Sequence, residues 1–159
     1  MSSELNKLLV QKDKKILFVG IGNILKKDDG AGVYISSRIK TNYSITALTV
    51  EVSIENYIGK INSMNPDILI LIDCVEMKAD RGTFKLLSLN QIQDMTFNTH
   101  SISLKRLSDF FAMPVYILGI QPEKIDFGEN LSYLVKNVAD QILKQINKKE
   151  VFHGCRISL

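Results

Sequence analysis

Short, uniformly apolar runs alternate along this chain with stretches in which apolar positions recur every three or four residues, the pattern of strands alternating with helices. Lys15 to Val19 reads as a buried strand and Thr46 to Val52 as a second. Ile68-Leu69-Ile70-Leu71-Ile72 is apolar at every position, which fits a central parallel strand covered on both faces. Its first polar residue is Asp73, which this reading places at the strand's end. Gly82 to Leu87 predicts a further strand, to which an edge position is open, and Val115-Tyr116-Ile117-Leu118-Gly119 another. Between them the spacing predicts helices over roughly 29–40, 55–63 and 101–111, the last carrying Leu104, Leu107 and Phe111. Leu131, Leu134, Val135, Val138, Ile142 and Ile146 form one stripe on a closing amphipathic helix. Residues 1 to about 13, and those from about Val151, read as peripheral to a core spanning about 14–148.

This order predicts an α/β fold: three layers, doubly wound, with a mostly parallel twisted sheet and helices on both faces. At 159 residues the chain makes a single domain, 1–159, able to bury a core without disulfides or structural metal. Cys74 and Cys155 are its two cysteines and form no CxxC pair. The formal charge of +3 is small and the lysines are scattered, so no nucleic-acid surface is predicted. No apolar run approaches the ~18 residues that cross a bilayer, and Met1-Ser2-Ser3-Glu4 is too polar to open a signal peptide. A cytoplasmic protein is expected.

In doubly wound sheets the working site lies beyond the carboxyl ends of the strands. There, Gly20-Ile21-Gly22-Asn23 leads into Asp28-Asp29-Gly30-Ala31-Gly32. A strand, a glycine turn and a helix start usually make a phosphate cradle, but two carboxylates at the helix start would repel a phosphate. The third glycine of the dinucleotide fingerprint is also missing, its place taken by Leu25. The turn therefore suits a cation or a proton. Asp29 is a candidate ligand, or an N-terminal cap with Asp28 as its neighbour. Asp73, directly after five buried aliphatics, must reach water or find a partner.

His100, in Asn98-Thr99-His100-Ser101, stands before a predicted helix as ligand or cap. Asp29, Asp73 and His100 together make a plausible three-ligand site with open coordination positions. His153 is read as part of a loose tail, in preference to a ligand pair with Cys155, Glu55 as a rim carboxylate or a cap, and Glu76 as solvated. Cys74 is read as buried packing, not a nucleophile. Gly22-Asn23 offers either backbone donors at the rim or a plain turn.

Four segments in this order resemble the hydrogenase maturation endopeptidases: the Gly20–Asn23 and Asp28–Gly32 pair, Ile70-Leu71-Ile72-Asp73, Asn98-Thr99-His100, and Leu118-Gly119-Ile120-Gln121-Pro122. The last is similar to the hydrogenase-3 type branch, and the likeness covers about residues 15 to 147. It implies that Asp29, Asp73 and His100 bind metal. It also implies an enzyme that recognises nickel already seated in the precursor of the nickel–iron hydrogenase large subunit, and then removes that subunit's C-terminal extension. No tightly bound cofactor and a monomeric state are expected with it.

For hydrolysis, Asp29 or Asp73 could activate a water, or the nickel could polarise the scissile carbonyl, so aspartic-type and metal-assisted mechanisms both stand. One segment departs from the family: Val50-Glu51-Val52-Ser53-Ile54-Glu55-Asn56 lacks the usual glycines, leaving open whether Glu51 supplies the acidic residue expected there. The competing readings are a non-cleaving metal-binding accessory protein for hydrogenase assembly and a nucleotide-binding domain.

Overall fold

A computed structural model of the protein describes residues 3–11, 13–88, 96–97 and 104–157, with side chains described over 3–11, 13–88 and 106–148. Five strands form the main sheet: β1 (Ile16–Ile21), β2 (Ile45–Glu51), β3 (Ile68–Glu76), β4 (Phe84–Ser88) and β6 (Val115–Ile120). They lie in the order β2-β1-β3-β6-β4, and the short β5 (Thr96–Phe97) pairs with the far end of β3. The pairs β1–β2, β1–β3 and β3–β6 are parallel, while β4 runs antiparallel to β6 at the edge. The helices are α1 (Ser3–Leu9), α2 (Ala31–Ser36), α3 (Ile58–Met64), α4 (Leu104–Leu107) and α5 (Tyr133–Ile157). The doubly wound α/β fold expected from the sequence is the one formed.

Side chains alternate across a strand with a period of two, so an all-apolar strand must feed two cores. That is what β1 and β3 do. Ile16, Phe18, Ile68, Ile70 and Ile72 enter one core with α1, α2 and α5. Leu17, Val19, Ile21, Leu69 and Leu71 enter the other with Ile61 of α3 and Leu107 of α4. The stripe on the closing helix holds at Val135, Val138, Ile142 and Ile146, whereas Leu134 turns outward and covers Gly82.

Three expectations need correction. The N-terminal segment is not peripheral: Leu5, Leu8 and Leu9 of α1 are buried in the first core, and Gln145 of α5 donates to Asn6 at 2.7 Å. Their i, i+3, i+4 spacing makes an apolar face, but one too short to declare itself without a surface to pack on. At the other end, α5 runs on to Ile157, so Val151 is still helical. The helix after β1 is also shorter than predicted, a 3₁₀ turn over Lys27–Gly30 followed by α2. Ser37 and Arg38 both donate from their side chains to the carbonyl of Tyr34, satisfying the end of α2 and releasing the chain towards β2.

Candidate active site

The carboxyl ends of β1 and β3 meet the start of α2 at one rim, and two glycines make the approach close enough. A Cβ on Gly32 would overlap the carbonyl oxygens of Ile21 and Ile72, so only glycine lets α2 begin on top of both strands. Gly22 holds φ 147, and a Cβ there would overlap the carbonyl oxygen of Asp29. The turn between them is internally bonded: Asn23 N–H donates to Asp29 Oδ2 at 3.1 Å, and Leu25 N–H donates to Asn23 Oδ1 at 2.9 Å. Both amides of Gly22-Asn23 are engaged within the protein, Gly22 N–H on the Glu51 carbonyl at 2.9 Å and Asn23 N–H on Asp29, so the geometry fits the plain turn of the two readings.

Asp29 and Asp73 are both buried at this rim. Asp73 does not end its strand. The β1–β3 ladder stops at Gly20↔Ile72, but β6 continues opposite β3, pairing Asp73 with Gly119 and Cys74 with Ile120. Asp73 thus occupies the step where one neighbouring strand has ended and the other persists. The 3₁₀ turn carrying Asp29 packs against β3 at this end of the sheet. The Asp73 carboxylate accepts from Cys74 N–H at 2.7 Å. His100 lies outside the described residues, and so does the side chain of His153; among the described residues no group of three His, Cys, Asp or Glu forms a metal cluster.

Asp28, paired with Asp29 in the sequence as a possible cation ligand or its neighbour, has a different occupation. It is fully buried, and its carboxylate accepts four hydrogen bonds, from Glu123 N–H, Lys124 N–H, Ser132 N–H and Ser132 Oγ, at 2.7 to 2.9 Å. These tie the loop between β6 and α5 to the turn after β1. Gln121 clamps the neighbouring loop. Its side-chain oxygen accepts from Met77 N–H at 2.7 Å and its Nε2 donates to Glu76 at 2.8 Å. Glu76 is therefore bonded, not merely solvated. In the sequence Gln121 stands only within the Leu118–Pro122 motif; an amide directly after a buried strand, where an unpaired polar group is costly, is the signal that marks it as a clamp.

Glu55 is exposed in the 3₁₀ turn Ile54–Tyr57. Glu51 is exposed on left-handed backbone at φ 57, where its carbonyl accepts from Gly22 N–H at 2.9 Å. A side chain is thus carried where glycine is the easier choice, at the strand end that abuts the glycine turn.

Cys74 sits within this acidic setting. Burial pushes its thiol far up from the ordinary range, and the charges of Asp73, Asp29, Asp28 and Glu76 push the same way. A thiol held protonated is no nucleophile, as the sequence reading expected. In a Cys155→Ser background, a thiol reagent at neutral pH should leave native Cys74 unmodified and label it only on unfolding; full labelling of the native protein would contradict this account.

The family model for HycI, hydrogenase maturation protease, matches residues 33–149. A Methanocaldococcus jannaschii relative, provisionally named a hydrogenase maturation protease, is 34% identical over 150 residues, covering 84% of this chain and 86% of its own. The chain belongs to the hydrogenase maturation protease family. It is accordingly a hydrolase, an endopeptidase of hydrogenase maturation. The hydrogenase 3 maturation protease of Escherichia coli is 24% identical over 132 residues, covering 79% of this chain and 85% of its own. The crystal structure of the [NiFe] hydrogenase maturation protease HycI from Thermococcus kodakarensis superposes with a TM-score of 0.81 at 23% identity, covering 92% of this chain and 98% of that one. The fold of hydrogenase maturation proteases is thus the fold of this chain, with α1 and α5 included in its first core.

Proposed function

We propose that this protein removes the C-terminal extension from the precursor of a nickel–iron hydrogenase large subunit, and does so only after nickel has been inserted. The observation that carries the reading is the burial of two carboxylates, Asp29 and Asp73, at one rim of a hydrogenase maturation protease. Each accepts a hydrogen bond from a backbone N–H, Asp29 from Asn23 and Asp73 from Cys74, which helps to orient it. His100 completes the set in this proposal. The nickel is the substrate's cargo, and two carboxylates with an imidazole suit a partly liganded nickel that retains open positions.

Asp29 or Asp73 takes the proton from the attacking water, the role of a positioned general base. Contact with the nickel supplies the checkpoint. A difference of about 3 kcal/mol between loaded and empty precursor separates them more than a hundredfold. We read the enzyme as a monomer acting in the cytoplasm, without nucleic-acid or membrane partners. No helix among the described residues is long and apolar enough to cross a membrane.

The test is to mix the purified protein with nickel-loaded and nickel-free precursor and weigh the products by mass spectrometry. Loss of a C-terminal peptide from the loaded form alone is the expected result. Binding with no change in mass would turn the reading to a non-cleaving accessory protein.

A further inference from the structure

The turn over 23–28 and the loop over 123–132 are bonded into one unit. Besides the four bonds to the Asp28 carboxylate, Lys27 N–H donates to the Gly128 carbonyl at 2.8 Å, Gly128 N–H to the Leu25 carbonyl at 2.9 Å, and Asp28 N–H to the Lys124 carbonyl at 3.1 Å. The aliphatic stem of Lys27 lies against Gly128. Fixing a loop of this length costs about 1–2 kcal/mol of backbone entropy per residue, which burial of the loop's own apolar side chains normally offsets. Here that burial is partial: Ile125 and Leu131 are half-buried, Leu131 against the first core, while the other apolar side chains of the unit face solvent. Phe127 is 86% exposed, Leu25 53% and Ile24 45%. An open hollow of about 390 Å³, lined among others by Lys27, Lys124, Ser132 and Tyr133, adjoins this surface.

Ordered backbone that presents aromatic and aliphatic side chains to solvent marks a contact surface. Its position says what covers it. The unit ends, in sequence and in space, at Asp28, the residue before Asp29, and the substrate of a protease is a polypeptide that must run across the surface flanking the catalytic acids.

We propose that this stapled unit is the platform on which the hydrogenase precursor's polypeptide lies beside Asp29, with Phe127 and Leu25 gripping apolar residues next to the cleavage position. Asp28 and Ser132 act as positioning residues, holding the platform in register with the acids. The inference rests on the function proposed above and adds the surface that recognises the substrate.

It is tested by steady-state cleavage of nickel-loaded precursor by the parent, Phe127→Ala, Leu25→Ala, Ser132→Ala, Ser132→Thr and Tyr43→Ala. Tyr43 is exposed at the opposite, amino-terminal end of the sheet and serves as the control. Phe127→Ala should raise KM about tenfold with kcat and thermal midpoint unchanged, the pattern of lost uniform binding. Leu25→Ala should do the same to a smaller degree. Ser132→Ala should raise KM, and Ser132→Thr, which keeps the hydroxyl, should restore it; Tyr43→Ala should match the parent. A parental KM in Phe127→Ala overturns the platform even where cleavage itself is established.

Dissociation constants for the same precursor, measured in an Asp73→Asn background, separate the two claims. If the parent does not cut, the proposed function fails. A weaker Kd for Phe127→Ala then still supports the platform, and an equal Kd overturns it. A protein that neither cuts nor binds the precursor overturns both.

Discussion

Asp73→Asn and Asp29→Asn should each lower cleavage of nickel-loaded precursor by roughly a thousandfold, within the range that removal of a general base produces. Both substitutions are isosteric. Each leaves an oxygen able to accept the backbone N–H that the aspartate holds now, from Cys74 in one case and Asn23 in the other. The thermal midpoint should therefore move little, which separates lost chemistry from lost folding. His100→Ala should behave alike in turnover. Mass spectrometry of the precursor after a fixed incubation, beside a melting curve for each variant, reads both quantities. Normal processing by two of the three variants would sink the assignment of this trio.

Asp28→Ala should have the opposite character, a large loss of stability. The carboxylate accepts three backbone N–H groups and one hydroxyl, and the side chain is fully buried. Hydrogen bonds to charged groups contribute about 1.5–3 kcal/mol each, and a buried donor left without its acceptor costs about 1–3 kcal/mol. Since the freed loop can turn some of these donors to water, a net loss of about 3–5 kcal/mol is expected. For a domain of this size that lowers the melting midpoint by roughly 10 °C. Asp28→Asn should be milder, because one oxygen can still serve the three donors that now share Oδ2, while the amide nitrogen faces Ser132 N–H. A melting midpoint for Asp28→Ala within a degree of the parent would show that the loop is held by something else. The expected results separate the adjacent aspartates: Asp29→Asn folded and inactive, Asp28→Ala unfolding early.

The sheet was legible because its central strands are apolar at every position. Ile16 to Val19 and Ile68 to Ile72 have no polar face to offer water, so both of their faces had to be covered, and strands alternating with helices supply that cover by winding to either side. Gly32 stands where only a missing side chain permits contact with two carbonyls, a constraint set by the neighbouring strands. Helix α1 was not legible. Three leucines on one short helix bury themselves only because α5, more than a hundred residues later, lies beside them. Asp73 misled in a similar way. Polarity after an apolar run signals the end of a strand, but β6 keeps pairing after β1 has stopped, and the ladder carries the aspartate into the interior.

What the sequence determined by itself was the class of fold, since hydrophobic periodicity is a local property, and it offered Asp29 and Asp73 as candidate acids at the carboxyl ends of the strands. What the tertiary structure alone decided was the division of labour within that rim. Asp28 and Asp29 are the same residue type one position apart, and nothing in their neighbours along the chain distinguishes them. The loop from β6 to α5, about a hundred residues away, places its amides around one of them and turns it into a staple. Hydrogen-bond partners so distant in sequence are set by topology, and they separate a carboxylate that holds the protein together from its neighbour at the rim.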